Sequence, residues 1–291
     1  MYLDQITFPD RESEGSFFAG IMRTVYDSYY PYQILSKNAF SQIDFEPITI
    51  LYGGNGSGKT TALNVIAEKI GAKRSAVYNR SNFFEDYLNQ CHYTMTNEPK
   101  IKQILTSDDV FDYMLDIRNL NQGIDRRREE VFDEYFEAKY AKFRFKGFED
   151  YERLKKINLA RSNTQSKFTR KNLMDNVREF SNGENAAKFF QEKIVPNGLY
   201  LLDEPENSLS TQRQIELVAF IEDMARYEHC QFVIATHSPF VLSTKEAKIY
   251  DLDQKPVDVR RWTQLESVQT YYRFFQDHQE AFEDEQRRTK Q

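Results

Sequence analysis

The chain has 291 residues, of which 40% are hydrophobic and 29% charged, and its formal net charge is −6. These values are typical of a globular protein with one large or two smaller domains, and the acidic balance argues against nucleic-acid binding by the whole surface. Two cysteines and four histidines, none in a metal-ligand spacing, exclude a disulfide framework and a cysteine–histidine metal cluster. No apolar run could span a bilayer and no signal-peptide pattern is present, so we expect a cytoplasmic protein without a membrane span.

The most informative stretch lies between a predicted buried strand at residues 47–52 and a predicted helix at residues 61–70. It is Gly53-Gly54-Asn55-Gly56-Ser57-Gly58-Lys59-Thr60, followed by Thr61, and it matches the phosphate-binding loop pattern G-x-x-x-x-G-K-[ST] at every fixed position. Glycines let backbone N–H groups turn toward phosphates, and the helix N-terminus adds a favourable dipole. We therefore predict a site for a nucleoside triphosphate, in which Lys59 reaches the β- and γ-phosphates and Thr60 holds Mg²⁺.

Residues 101–180 are charged, poor in glycine and proline, and mostly helical in period, which predicts a helical insertion. Within them, residues 139–171 contain eleven basic residues and three acidic ones, a local balance of +8. The basic residues are Lys139, Lys142, Arg144, Lys146, Arg153, Lys155, Lys156, Arg161, Lys167, Arg170 and Lys171. Such a segment either contacts nucleic-acid phosphates or forms a solvated helical face, and its charge alone leaves both interpretations open.

A helix start follows this segment. It is Ser181-Asn182-Gly183-Glu184-Asn185, in which Ser181 fits a helix cap and Glu184 completes a capping box. Capping is one interpretation of the pattern. The other is that the helix start directs its N–H groups and Ser181 toward a phosphate.

Two further predicted strands end in polar side chains. Residues 199–202 are apolar and lead into Asp203 and Glu204, and residues 231–235 lead into a turn that contains His237. Because the carboxyl ends of parallel strands meet at one edge of a sheet, we expect these side chains beside the phosphate-binding loop. We predict that Asp203 binds Mg²⁺ through its water shell and that Glu204 orients or deprotonates the attacking water. His237 is then placed to contact the γ-phosphate or that water.

Strand patterns at residues 1–8 and 248–252 and a helical pattern at residues 267–284 complete the prediction. We expect an α/β fold of the P-loop NTPase kind. Its nucleotide-binding core is predicted at residues 1–100 and 181–291, and the inserted helical subdomain at residues 101–180 leads to the helix start described above.

The set and order of these motifs resemble the ABC-type ATPase superfamily, and especially its SMC/RecF-like branch of stand-alone bacterial ATPases. Residues 53–60 look like the Walker A motif, residues 199–204 like Walker B, and His237 like the switch histidine. Residues 181–185 look like a variant of the signature motif, and residues 207–210 occupy the place of the D-loop. In this pattern Asn182 and Glu184 stand where transporter subunits usually have Gly and Gln. The Q-loop glutamine is not assigned, with Gln90 and Gln103 as candidates, and Tyr29, Tyr30 or Tyr32 could stack on adenine.

The resemblance implies a fold of ABC-ATPase type, hydrolysis of ATP with Mg²⁺, and a homodimer that forms with ATP. In such a dimer, Ser181 and Gly183 of one copy would contact the γ-phosphate held by Lys59 of the other. Catalysis would depend on Glu204, His237 and Lys59, with Thr60 and Asp203 at the metal.

Three functional classes stay open at this point. The first is an ATP-dependent dimerisation switch that acts on DNA or RNA, in repair or phage defence, for which the basic residues 139–171 speak. The second is an ATPase that regulates a partner effector protein, which the lack of any nuclease or other effector motif in the chain favours. The third, disfavoured by the variant signature, is the nucleotide-binding subunit of a transporter.

Overall fold

The computed structural model describes residues 1–21, 25–26, 28–144, 147–172, 182–207 and 209–283. In these ranges the strands are β1 (Leu3–Thr7), β2 (Gln42–Asp44), β3 (Ile48–Tyr52), β4 (His92–Met95), β5 (Ile101–Thr106), β6 (Gly198–Asp203), β7 (Gln231–Thr236), β8 (Lys248–Asp251) and β9 (Asp258–Val259). The helices are α1 (Arg11–Gly20), α2 (Lys59–Lys69), α3 (Phe84–Gln90), α4 (Ser107–Tyr140), α5 (Tyr151–Ser162), α6 (Gln165–Asn172), α7 (Asn182–Lys193), α8 (Thr211–Tyr227), α9 (Pro239–Leu242) and α10 (Glu266–Asp277).

The larger sheet has the strand order β5-β6-β7-β3-β8-β9, and its first five strands are parallel. Strands β3 and β7 are buried along their whole length, and β6 is buried up to its last residue. Their runs of β-branched and leucine residues are the composition expected of strands covered on both faces. The register pairs Asp203 with Thr106 and Ala235, and Tyr52 with Thr236. The carboxyl ends of four neighbouring strands therefore lie at one edge of the sheet.

A second, antiparallel sheet has the order β2-β1-β4, and the sequence patterns predicted only its central strand. The side chain of Gln231, at the start of β7, connects this sheet to the larger one. Its Oε1 accepts hydrogen bonds from the backbone N–H groups of Tyr2 and Leu3, and its Nε2 donates to the carbonyl of Leu3. Gln231 is buried, and these bonds offset the free-energy cost of burying its amide.

The chain forms two compact units, one comprising Met1–Val110 with Asn182–Gln291 and the other Phe111–Ser181. The first unit contains both sheets. Ile101–Thr106 belongs to it as an edge strand of the larger sheet, whereas the sequence predicted that helical structure begins at residue 101. The mixed polar and apolar residues of β5 do not distinguish a strand from a helix in so short a run.

The second unit is helical and has its own small core. Tyr135 and Val131 of α4 pack there with Ile157 of α5 and Phe168 of α6. Several basic residues of the unit are engaged inside it. Lys156 forms an ion pair with Glu134 at 2.8 Å, and the guanidinium of Arg161 donates to the carbonyl of Ala141. None of the helices in the described ranges combines the length and apolar character needed to cross a membrane.

Candidate active site

The phosphate-binding loop connects β3 to α2 as predicted from the sequence. Gly56 and Gly58 have φ angles of 81° and 101°, in the left-handed region that favours glycine. A Cβ atom on Gly58 would also lie only 3.1 Å from side-chain carbons of Ile34 and Leu35. Both the backbone conformation and the lack of space therefore require glycine at position 58.

The side chain of Lys59 folds back over its own loop. Its Nζ donates hydrogen bonds to the carbonyls of Gly53 at 2.7 Å and Gly54 at 3.0 Å, and the residue is only 5% exposed. These two carbonyls keep a buried ammonium group hydrogen-bonded at the N-terminus of α2, which lowers the free-energy cost of burying it. A phosphate bound in the loop would meet a positive charge that is already in place.

A carboxylate that the sequence did not single out supports the other end of the loop. Both side-chain oxygens of Asp253, which lies just after β8, accept the backbone N–H of Gly54, at 3.1 and 2.9 Å. Asp253 is held in turn by a hydrogen bond from its own N–H to Oδ1 of Asp251. The sequence gives no local signal for this contact, because 199 residues separate Asp253 from Gly54.

The predicted metal ligands lie side by side. The hydroxyl of Thr60 donates to Oδ1 of Asp203 at 3.1 Å, so that α2 and the end of β6 meet at one point. Burial raises the pKa of Asp203 to about 6, and the negative charge of Glu204 acts in the same direction. The hydrogen bond from Thr60 and the charge of Lys59 oppose this shift.

A hydroxyl next to a carboxylate fits the chemistry of Mg²⁺, which takes oxygen ligands and keeps several of them as water or phosphate. Thr60 and Asp203 would hold the ion, which would neutralise charge on the phosphates of a bound nucleotide. Among the described residues, no three His, Cys, Asp or Glu side chains gather into a metal site. The protein therefore offers an open pair of oxygens here and not a closed cage.

Glu204 follows Asp203 in an unusual backbone conformation. Its φ angle is 47°, which a non-glycine residue adopts at a cost of about 1 kcal/mol or more, and its N–H donates to the carbonyl of Ala235. The amide of Asn207 donates to Oε2 of Glu204 at 2.9 Å, and Nδ1 of His237 lies 3.6 Å from Oε1. The strained turn thus directs Glu204 toward His237, and the carboxylate and imidazole predicted to act together are neighbours.

A third carboxylate, Glu206, lies in the same turn, and the sequence analysis assigned it no role. It is 6% exposed, and its Oε1 accepts hydrogen bonds from three groups at the end of β7. These are the hydroxyl of Thr236 at 2.6 Å and the N–H groups of His237 and Ser238 at 3.1 and 3.2 Å. In the sequence, only its acidic character and its position two residues after Glu204 could have indicated a role for Glu206.

A cavity of about 450 Å³ lies beside Thr60 and Asp203. Tyr30 and Arg74 line it, together with residues 106–108 at the end of β5. Tyr30 is the only one of the three candidate adenine-stacking tyrosines among the lining residues, whereas Tyr32 is buried against Phe17, with ring centroids 4.4 Å apart.

The two glutamines proposed for the Q-loop do not line this cavity. Gln90 ends α3 and donates to the hydroxyl of Tyr32 at 2.7 Å, and Gln103 lies within β5. The end of β5 instead supplies Thr106, Ser107 and Asp108 to the cavity. Asp109 is held beside them, because one of its carboxylate oxygens accepts the N–H and the hydroxyl of Thr106, both at 2.8 Å.

The predicted signature residues are only partly described. Ser181 lies outside the described residues, and Gly183 falls in the first turn of α7. Glu184, in the same turn, forms an ion pair of 3.5 Å with Arg213 of α8.

The fold and this cluster of groups define the class of protein, a P-loop nucleotide-binding ATPase. A family model described as "ABC transporter" matches residues 37–207, and one described as "AAA ATPase domain" matches residues 182–242. Because the first match covers more than half of the chain, the chain belongs to the ABC-type ATPase family. The predicted family membership is thereby confirmed. No curated protein matches the chain significantly.

Three solved structures show weak similarity to the chain. A metal-chelate type ABC transporter in an inward-facing conformation is 17% identical, with a TM-score of 0.36 over 77% of this chain and 76% of that one. The SMC head domain from Thermotoga maritima is 12% identical, with a TM-score of 0.37 over 90% and 99%. An SMC head domain with an extended coiled coil, bound to the C-terminal domain of ScpA derived from Pyrococcus furiosus, is 13% identical, with a TM-score of 0.35 over 80% and 95%. The family assignment depends on the family models alone.

Proposed function

We propose that this chain hydrolyses ATP to ADP and phosphate with the groups gathered at the carboxyl edge of its parallel sheet. The observation that supports this most directly is the hydrogen bond between Thr60 and Asp203, because it joins the phosphate-binding loop to the acidic end of β6. ATP would bind to residues 53–61. Lys59 would exchange its two backbone carbonyl partners for phosphate oxygens.

After ATP has bound, hydrolysis needs a general base and a group that contacts the γ-phosphate. We assign the first role to Glu204, which Asn207 orients, and the second to His237, whose Nδ1 lies 3.6 Å from the Glu204 carboxylate. A water molecule held by Glu204 would lose its proton to that carboxylate as it attacks the γ-phosphorus atom. The bond from this phosphorus to the β,γ-bridging oxygen would break, and ADP would leave with that oxygen. The imidazole would donate a hydrogen bond to the γ-phosphate and disengage once phosphate leaves.

We further propose that ATP closes two copies into a head-to-tail dimer. Ser181 and Gly183 of one copy would contact the γ-phosphate bound by the other, as the ABC-type resemblance implies. Within this family we place the chain in the SMC/RecF-like branch of stand-alone, cytoplasmic ATPases. The ATP-bound protein and the protein after hydrolysis would then be the two states of a switch, because only the ATP-bound state has γ-phosphate contacts across the dimer.

A switch of this kind acts on another molecule, its load. We propose that the load is nucleic acid and that it binds to residues 139–171. Lys142, Arg144, Lys167 and Arg170 are exposed in the described part of this segment and are available for phosphate contacts. Lys156 and Arg161 contribute less, because protein groups already bind them. A nucleic-acid load predicts a higher ATPase rate with DNA or RNA than without, and that increase should fall as salt rises.

A second candidate load is a partner protein. Helix α10 carries four aromatic side chains, Tyr271, Tyr272, Phe274 and Phe275, each more than half exposed. Exposed aromatic groups in this number are typical of contact surfaces. An ATPase rate that does not respond to nucleic acid, with a second protein bound stoichiometrically on purification, would favour this candidate. Association with membranes through a transporter's membrane subunit is the third outcome.

The dimer is tested with Glu204→Gln. This variant should bind ATP and run as a dimer in size-exclusion chromatography with light scattering when Mg²⁺ and ATP are present, and as a monomer with ADP. A protein that stays monomeric with bound ATP would contradict the proposed dimer while leaving nucleotide binding intact.

A further inference from the structure

The turn that carries Glu204 and the turn that carries His237 are connected by two side chains that the proposed reaction does not use. The first is Glu206. Its buried Oε1 is the acceptor for the hydroxyl of Thr236 and for the backbone N–H groups of His237 and Ser238. Three donors on one oxygen fix the path of the chain immediately before and after the imidazole.

The second connection runs through Gln214 in the first turn of α8. Its Oε1 accepts the hydroxyl of Ser238 at 2.7 Å, and its Nε2 donates to the carbonyl of Leu209 at 3.0 Å. Gln214 therefore ties the residue after His237 to the segment after Glu206. Leu209 also donates its N–H to the carbonyl of Glu206, so the links share one turn.

The burial of Glu206 is costly for the folded protein. Its Oε2 is buried and, among the described residues, has no hydrogen-bond partner. The unpaired Oε2 carries a desolvation cost, while Oε1 satisfies three donors that an apolar side chain would leave without a partner. All three of these donors belong to the turn that carries His237, so the carboxylate determines the path of that turn.

We infer that Glu206 is a positioning residue that acts through His237. It holds the 236–238 backbone against the turn that carries Glu204, so that the imidazole and the Glu204 carboxylate meet the same γ-phosphate and water. This inference rests on the proposed ATPase function. It adds that the geometry of His237 is set by a side chain two residues after Glu204 and not by the strand end alone.

A double-mutant cycle on phosphate release tests this inference. Glu206→Ala should lower kcat about 10- to 100-fold, the range typical of a misplaced catalytic group, and change KM for ATP less than threefold. Glu206→Gln keeps an oxygen acceptor and should retain most of kcat. In a His237→Ala background, Glu206→Ala should have little further effect, because the imidazole that it positions is absent and only the charge of Glu206 near Asp203 is lost.

A matched control is Glu222→Ala in α8. Glu222 also accepts a backbone N–H, that of Lys245, at 2.9 Å, but at a distance in sequence from both turns. This variant should lower Tm without changing kcat. If Glu206→Ala does not fold, Thr236→Val replaces it in the cycle, since it removes the shortest of the three hydrogen bonds and keeps the side-chain volume.

Two results would overturn the inference, and they differ in what else they overturn. If the wild type releases phosphate well above Lys59→Ala, and the effects of Glu206→Ala and His237→Ala multiply, Glu206 does not act through His237 and only this inference fails. If the wild type releases phosphate no faster than Lys59→Ala, the proposed ATPase function fails as well.

Discussion

In the unit formed by Met1–Val110 and Asn182–Gln291, the charged groups at the sheet edge are held by the fold. Lys59 is bound by two carbonyls, Asp203 by Thr60, and Glu206 by three donors. In the unit Phe111–Ser181, by contrast, basic side chains such as Lys142, Arg144 and Lys167 are exposed. In the first arrangement hydrogen bonds hold the charged groups in place, and in the second long exposed side chains can adapt to a partner.

This difference distinguishes the groups that we assign to ATP hydrolysis from the groups that we expect to bind a partner molecule. Groups that stabilise a transition state must be in place before the reaction, since reorganisation during the reaction would cost rate. Groups that bind a polyanion gain from number and mobility more than from position. Substitutions in the first unit should therefore change the basal ATPase rate. Substitutions in the second unit should change only the increase in that rate when nucleic acid binds.

The largest effect is expected for Glu204→Gln. Loss of the base should reduce steady-state phosphate release by about 100-fold or more, the range typical of general-base removal, while ATP binding persists. Glu222→Gln, a change of the same chemistry on α8, should leave the rate within twofold. A Glu204→Gln enzyme as active as the wild type would remove Glu204 from the reaction.

A second effect concerns the stability of the metal-free protein. Because burial raises the pKa of Asp203 to about 6, the folded state favours the protonated form. The raised pKa contributes stability that is complete below about pH 4 and is lost as pH rises through about 6. Asp203→Asn cannot ionise, so in chelator it should match the wild type near pH 4 and exceed its free energy of unfolding by about 3 kcal/mol at pH 7.

Asp44→Asn provides a control of opposite sign for that experiment. Hydrogen bonds from Gln5 and Gln42 lower the pKa of Asp44, which stabilises the folded protein above the ordinary aspartate pKa and not below it. This variant should be less stable than the wild type at pH 7 and unchanged at low pH. If Asp203→Asn follows the same direction as Asp44→Asn, the assigned environment of Asp203 is wrong.

The smallest effect on basal hydrolysis is expected in the helical unit. The combined variant Lys142→Gln, Arg144→Gln, Lys167→Gln and Arg170→Gln should leave the ATPase rate without nucleic acid within twofold. Its affinity for double-stranded DNA should show a weaker salt dependence, with the slope of log K against log salt reduced by about 0.9 for each lost phosphate contact.

A variant with the same charge change in the other unit is its matched control. Lys37→Gln, Lys100→Gln, Lys255→Gln and Arg261→Gln replace four exposed basic residues outside the helical unit. If both variants lose DNA affinity equally, binding is not specific to residues 139–171. If neither loses any, nucleic acid is not the load.

The sequence predicted the parts of the fold that repeat a strong local pattern. Buried runs at β3, β6 and β7 were recognisable because strands covered on both faces are apolar throughout. Their ends identified Asp203 and His237, which the register brings to the edge that carries Thr60. The local pattern was weaker for β4 and β5, whose polar and exposed residues resemble those of a helix or loop.

The parts that were missed depend on contacts between distant residues. Asp253 supports Gly54 from 199 positions away, and Gln231 joins two sheets through its amide. Glu206 shows the same limit at the site itself, because its role depends on donors from Thr236 to Ser238 that only the folded chain brings near. Local patterns thus indicate where a site lies, and long-range hydrogen bonds determine how its groups are held.

The central claim is that the loop from Gly53 to Thr61 binds an ATP that this chain hydrolyses. Its most direct test is phosphate release from ATP and Mg²⁺ by the purified wild type and by Lys59→Ala, with Lys69→Ala from the far end of α2 as the matched control. We predict turnover by the wild type and by Lys69→Ala, and a loss of about 100-fold or more in Lys59→Ala. Equal rates for the wild type and Lys59→Ala would contradict the claim.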